Sequence, residues 1–309
     1  PLAGRVAKQE GVNLAAVKGS GPHGRIVLAD VQGAKKGGVA AAPVAVSAVA
    51  PAAAPAPAAA PAGMSGDMVR KMFAPGSYEE IPHDNMRKTI ARRLQESKST
   101  IPHFYLTVDC ELDALLMLRE QINASAPGAK DGKPAFKVSV NDFIIKALAL
   151  ALQRVPDANV SWTDTAMLKH KSSDVGVAVS IPGGLITPVV RNAETKTLSV
   201  ISNEMKDYAA RAKARKLKPE EYQGGTTAVS NLGMFGIKDF CAVINPPHAT
   251  ILAVGAGEQR AVVKGGAVVP ATVMSVTLST DHRCVDGALG AELLGAFRQL
   301  IENPMGMLV

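Results

Sequence analysis

Near its C-terminus the chain reads VMSVTLSTDHRCVDGALGAELL, and His282 within it is the side chain best suited to moving a proton. An imidazole titrates near neutrality, so it can take a proton from a weak acid and return it within one reaction. Alternation along the preceding residues puts Met274, Val276 and Leu278 on one face of a predicted strand and Ser275, Thr277 and Ser279 on the other, with His282 continuing the apolar side. The histidine falls where the strand gives way to a loop and then to a helix opening near Asp286-Gly287. Side chains at such junctions are held by rigid flanks, which suits catalysis. Asp281, Arg283 and Asp286 add polar chemistry to the same turn. A lone histidine on an apolar face is more often a satisfied structural residue, and the spacing alone leaves both readings open.

Other chemistries fit the residues less well. The six histidines, His23, His83, His103, His170, His248 and His282, are scattered, and no CxxC pair offers thiolates, so no metal site is expected. A GxSxG elbow is absent. Cys284 is a weak nucleophile candidate, since nothing around it suggests thiolate activation. The three cysteines, Cys110, Cys241 and Cys284, are odd in number and far apart, which suits a reducing compartment better than a disulfide framework. The formal charge is +7, but aromatics make up only 4% and the basic residues gather in local clusters. Acidic protein surfaces or a phosphorylated cofactor are therefore better partners than nucleic acid. No uninterrupted apolar run is long enough for a membrane span.

The 309 residues, 47% of them hydrophobic, allow one large domain and something smaller. The sequence divides into a mini-domain over residues 1–36, an Ala/Pro-rich linker over 37–77 and a mixed α/β domain over 78–309. In the mini-domain a helix is expected from Leu2 to about Glu10, stopped by Gly11, and a second around Ile26 to Val31. The loop GSGPHG between them matches a dinucleotide fingerprint in letters only: a helix precedes it, and Pro22 interrupts it. The Ala-Pro repeats of the linker favour extended backbone at roughly 3 Å per residue. In the large domain we expect helices over Asn85 to Lys98, Leu112 to Asn123, from a Ser139 cap to Pro156, from the residues after LITPVV to Leu217, and from Asp286 to Glu302. Strands are expected over His103 to Cys110, DVGVAVSI and LITPVV, with a strand-rich stretch after Thr226 that turns at Gly265-Gly266. The basic run Arg211, Lys213, Arg215, Lys216 and Lys218 is either a solvated face or a clamp for phosphates.

Several blocks together resemble one family. PLAGRVAKQEGVNLAAVKGSGPHGRIVLADV is similar to the peripheral subunit-binding domain of 2-oxoacid dehydrogenase complexes, and DHRCVDG resembles the DHRxxDG signature of their acyltransferases. MRKTIARRLQESKSTIPHFYLTVD, GLITPVVRNA and TTAVSNLGMFGIKDFCAVINPPHATILAVG resemble further blocks of those enzymes, in the family's order, so that almost the whole chain is covered. The resemblance implies a chloramphenicol-acetyltransferase-like catalytic domain preceded by the small helical binding domain and the linker. It implies transfer of an acyl group from a dihydrolipoyl thioester to coenzyme A. The wording SNLGMFGIKDF favours acetyl, with succinyl or branched-chain transfer, or a non-catalytic scaffold, as alternatives.

The roles that follow are those the resemblance implies. His282 is the base that deprotonates the coenzyme A thiol, and Ser230 is the hydroxyl that stabilises the tetrahedral oxyanion, an interaction of roughly 3 kcal/mol. Asp286 is a buried partner of an early-helix arginine, aligned with Arg87, or else the cap of the last helix. Lys213 and Lys216 are candidates for the coenzyme A phosphates. Arg5, Lys8 and Arg25 are candidates for docking the pyruvate decarboxylase component and dihydrolipoamide dehydrogenase. Also implied are homotrimers with sites shared between subunits, assembling into a core of 24 or 60 copies, and a bacterial-cytoplasmic or mitochondrial-matrix location. Because the chain opens at Pro1, the lipoyl group is expected on a domain ahead of it.

Overall fold

A computed structural model describes residues 2–14, 17–36, 64–128, 132 and 134–309. The chain forms two compact units, residues 1–79 and 80–309. Most of the expected linker, residues 37–63, lies outside the described residues. The remainder differs from an extended spacer: Ser65 accepts a hydrogen bond from Met68 N (3.3 Å) and opens a short helix, α3 (Gly66–Arg70), which the ion pair Arg70–Asp67 (2.9 Å) supports. The Ala-Pro composition has ended by that point, and capping chemistry takes over.

In the first unit, α1 (Leu2–Gln9) and α2 (Leu28–Lys36) pack together, and Ala7 and Val31 are buried. Helix α2 starts later and runs further than expected because Asp30 organises its entrance. That carboxylate accepts from Val27 N (2.9 Å), Ser20 N (3.0 Å) and Ser20 Oγ (2.6 Å), bonds that hold it below the ordinary carboxylate range. The glycine-rich loop folds on itself: a Cβ on Gly19 would lie 2.4 Å from Gly24 O. Its glycines serve close backbone approach within the loop.

The second unit is built on a six-stranded sheet in the order β1-β10-β9-β8-β4-β7. These strands are β1 (His103–Glu111), β4 (Val175–Val177), β7 (Val189–Val190), β8 (Thr227–Asn231), β9 (Thr250–Lys264) and β10 (Ala267–Asp281). Strands β9 and β10 form a long hairpin closed at Gly265-Gly266, both at positive φ (58° and 85°), the backbone a two-residue turn needs. Strand β8 joins β9 and β4 in parallel. One face packs on α6 (Val140–Arg154) and α9 (Gly287–Glu302), where Phe143, Leu148, Leu252, Leu278 and Phe297 are buried together. The other face carries a smaller cluster of Ile101, Ala228, Ile244, Ile251 and Ala253. Helix α6 has the expected capping box: Ser139 Oγ accepts from Asp142 N (3.3 Å) and Asp142 accepts from Ser139 N (2.7 Å). Helix α4 (Asn85–Thr100) runs into β1, and α5 (Asp113–Ala124) follows β1.

Two expected elements are broken. DVGVAVSI divides into β4 and β5 (Val179–Ile181), because Val179 leaves the main sheet to pair with Ile186 of β6 (Gly184–Ile186). LITPVV divides likewise into β6 and β7. The helix expected to reach Leu217 is α7 (Leu198–Lys213); Arg215 turns left-handed (φ 55°), and α8 (Pro219–Tyr222) follows. A separate hairpin, β2 (Val160–Trp162) with β3 (Met167–Lys169), lies between α6 and β4.

Candidate functional site

Strand β10 ends by burying a charge. Asp281 is 2% exposed, its N donates to Ala249 O (2.8 Å), and its carbonyl accepts from Cys284 N (3.0 Å) and Val285 N (2.9 Å). The carboxylate is met by Arg283, with Nη2 at 2.6 Å from Oδ2 and Nε at 2.9 Å from Oδ1. Such a fork matches the carboxylate's two oxygens and removes the cost of an unpaired buried charge. Between these two residues stands His282. Its N donates to Pro102 O (3.0 Å), and its ring meets Phe104 edge-on, with centroids 5.1 Å apart and planes at 83°. The side chain itself is exposed. A histidine fixed at its backbone and on one ring edge, with the rest open, is presented outward for use.

Ser230 lies near the end of β8, half-buried, and its hydroxyl has no hydrogen-bond partner among the described residues. The next residue holds the corner: Asn231 Oδ1 accepts from Gly233 N (2.9 Å), and Asn231 Nδ2 donates to Asn141 Oδ1 (3.1 Å) on α6.

Within one chain these two groups do not meet. Ser230 pairs with Ala253 and Ala253 with Thr277, so Ser230 sits two strands from β10 in the row of Thr277, while His282 is five residues further along. At about 4.8 Å between strands and about 3.3 Å per residue, the two Cα atoms are about 19 Å apart. Alternation also puts them on opposite faces. Phe104 and His282 follow the Leu106–Leu278 row on the helix side, whereas Ser230 follows Ala228 and Ala253 on the other.

Asp286 is exposed, not the buried carboxylate expected, and its side chain accepts from Leu289 N (2.9 Å) as the N-cap of α9. Among the described residues it forms no ion pair with Arg87. That arginine is exposed near the start of α4, its N bonded to Asp84 Oδ1 (2.7 Å). Of the basic run, Arg211 is already taken by Glu221 (2.7 Å to each oxygen) and Asp207, and Arg215 Nη2 donates to Pro182 O (3.2 Å). Lys213 and Lys216 are exposed and unpaired among the described residues, as are Arg5, Lys8 and Arg25 in the first unit. Burial pushes the Cys284 thiol up to about 11, which disfavours the thiolate a nucleophile needs. Among the described residues no three His, Cys, Asp or Glu side chains gather as a metal site, and no helix is long and apolar enough to cross a membrane.

Sequence reasoning missed the division of labour inside the turn. In sequence Asp281 and Arg283 read only as polar neighbours, and no pattern marks Trp162, whose ring centroid lies 4.9 Å from the Arg283 guanidinium. The motif D-H-R itself carried a signal for the pair, because residues either side of a strand-end histidine point the same way. Nothing in the sequence linked Trp162 to it.

Comparison with known proteins accords with this geometry. The model of the 2-oxoacid dehydrogenases acyltransferase catalytic domain matches residues 75–309, and that of the e3 binding domain matches residues 1–32. The chain belongs to the 2-oxoacid dehydrogenase acyltransferase family. It is 72% identical over 309 residues to the dihydrolipoyllysine-residue acetyltransferase component of the pyruvate dehydrogenase complex of Rhizobium meliloti, covering 100% of this chain and 68% of the relative. Among solved structures it is similar to the dihydrolipoamide acetyltransferase of Azotobacter vinelandii (TM-score 0.74, 29% identity, 81% of this chain and 100% of that one). It is also similar to the cubic core of a pyruvate dehydrogenase multienzyme complex (TM-score 0.74, 28% identity, 81% and 100%). In the Azotobacter enzyme a serine, a histidine and an asparagine have been investigated for their role in the catalytic mechanism. There the serine precedes the histidine by 52 residues and the asparagine follows by four, the intervals that separate Ser230, His282 and Asp286 here.

Proposed function

We propose that this chain transfers an acetyl group from S-acetyldihydrolipoyl-lysine to coenzyme A, giving acetyl-CoA, and that its copies form the core of a pyruvate dehydrogenase complex. The observation that carries the reading is the shared spacing of serine, histidine and cap residue with an enzyme of that activity. His282 takes the proton of the coenzyme A thiol as sulfur attacks the thioester carbonyl. The carbonyl oxygen becomes an oxyanion and accepts a hydrogen bond from Ser230 Oγ, a fixed donor aimed where charge develops. Collapse breaks the bond to the dihydrolipoyl sulfur, which leaves with the proton returned by His282. Asp286 caps α9 and so positions the loop that presents the histidine.

The 19 Å gap within a chain is closed when His282 of one subunit faces Ser230 of the next, the arrangement a ring of three provides. Such rings are closed by one head-to-tail interface repeated, and they assemble further into the core. Lys213 and Lys216 are free to meet the phosphates of coenzyme A. Arg5, Lys8 and Arg25 present positive charge to acidic surfaces of the decarboxylase and dihydrolipoamide dehydrogenase. The protein works in the bacterial cytoplasm or mitochondrial matrix, where the three unpaired cysteines stay reduced.

The test is His282→Ala assayed for acetyl transfer from S-acetyldihydrolipoamide to coenzyme A, with oligomeric state checked alongside. Loss of roughly 10²–10⁴-fold in kcat is expected for removing a general base. Undiminished transfer by correctly assembled protein removes His282 from the mechanism, and faster transfer of succinyl or isobutyryl than of acetyl moves the chain to another complex of the family.

A further inference from the structure

The turn that carries His282 is closed from outside by a residue on another element. Arg283 lies with one edge of its guanidinium on the buried Asp281 carboxylate and with its Cζ over the indole of Trp162, 4.9 Å from the ring centroid. Trp162 comes from the β2–β3 hairpin, more than a hundred residues earlier in sequence. That hairpin is itself well tied. Thr163 Oγ1 donates to Ala166 O (2.6 Å) and accepts from Ala166 N (3.0 Å) across its tip, Ser161 Oγ bonds His170 Nε2 (2.9 Å), and Asn159 Nδ2 donates to Ser172 O (2.8 Å). Asp164 at the tip adds negative charge near the guanidinium.

We propose that Trp162 and Arg283 are positioning residues for the acyl transfer, a brace that fixes His282 in its reactive orientation. The inference rests on the reading of His282 as the base. Physically, Asp281 and Arg283 close a short loop over the one residue between them, so the direction of His282 depends on that ion pair keeping a single geometry. An arginine fork in open water exchanges partners readily. The indole lies over the guanidinium and adds cation–π attraction, a second partner that favours one geometry of the fork. Phe104 meets the imidazole directly. The two aromatic contacts come from separate parts of the unit, Phe104 of β1 on His282 itself and Trp162 of the hairpin on the neighbouring Arg283. Neither Trp162 nor Arg283 is asked to touch substrate, and the brace acts through orientation alone.

The experiment uses the full chain in its native assembly and measures kcat, the KM values for coenzyme A and S-acetyldihydrolipoamide, and thermal unfolding. Trp162→Ala is expected to lower kcat by roughly tenfold while both KM values and the assembly stay as in wild type. Trp162→Phe, which restores a ring face, should recover most of the loss. Arg283→Lys keeps the charge but neither the fork nor the planar guanidinium. It should lose at least as much, and adding Trp162→Ala to it should cost nothing further, since the brace is already gone. Wild-type kcat in Trp162→Ala, failure of phenylalanine to rescue, or multiplying losses in the double variant would each overturn the proposal. His282→Ala separates the two failures: if it abolishes transfer while Trp162→Ala is fully active, only the brace falls. If His282→Ala itself is active, the underlying reading falls with it.

Discussion

The most demanding consequence of the geometry is that two dead variants should revive one another. Ser230 and His282 lie about 19 Å apart at Cα and on opposite faces of the sheet. An imidazole and a hydroxymethyl group together reach about 7 Å, so neither can approach the other's reacting atom within one chain. Ser230→Ala should lower kcat by roughly 10²–10³-fold and His282→Ala by roughly 10²–10⁴-fold. When the two chains are co-expressed in equal amounts and mix at random, a site is intact if its histidine comes from a Ser230→Ala chain and its serine from a His282→Ala chain. About one site in four meets that condition in a head-to-tail ring. The assay is acetyl transfer by mixed assemblies purified through two different tags, against a control of separately assembled variants mixed afterwards. Activity near a quarter of wild type in the first and near zero in the second is expected. Co-expressed assemblies no more active than the control would refute the shared site and would require the two groups to meet within one chain.

Three further outcomes follow from individual contacts. Asp286→Ala should cost about 1 kcal/mol of stability by removing the α9 cap, whereas Asp286→Asn should cost only a few tenths, because asparagine caps equally well; thermal or urea unfolding distinguishes them. With its thiol held up to about 11, Cys284 has roughly one thiolate in a thousand at pH 8. Cys284→Ala should therefore keep kcat within about twofold, and mass spectrometry after brief iodoacetamide treatment should find this residue unmodified. Glu221 is held down to about 2 by the Arg211 fork. A carboxyl lowered in the folded state contributes stability that is present above its unfolded value and lost as pH falls through the folded one. The melting-temperature difference between wild type and Glu221→Gln should thus be largest above about pH 5 and should close on acidification towards pH 2.

Much of the catalytic unit was legible because its signals are local. The capping box at Ser139 and Asp142, the alternation along β10 and the paired glycines at 265 and 266 each depend on residues a few positions apart, and each element formed where those residues stand. Elements whose boundaries depend on distant partners were read less well. DVGVAVSI reads as one strand, yet it divides at Ala178, whose N bonds Val229 O, because β4 finds its partners in β7 and β8 while β5 pairs with β6. The helix through the basic run is cut short at Lys213 by a left-handed arginine, a choice that helix propensity does not report. Of the two roles open to Asp286, buried arginine partner or helix cap, it takes the cap and is exposed, since a motif records which residue is present and not what covers it.

By itself the sequence determined the chemistry available: an imidazole at a strand end with polar neighbours, and basic clusters suited to anionic partners, while Ser230 entered only through the family resemblance. Those follow from residue type and short-range pattern, which the chain carries wherever it is placed. Only the tertiary structure decided that Asp281 and Arg283 lock the turn, that Trp162 arrives from a remote hairpin to meet Arg283, and that Ser230 and His282 occupy opposite faces of one sheet. The reason is register: which strand pairs with which, and at which residue, fixes every distance across a sheet, and that is settled by the packing of the whole unit at once.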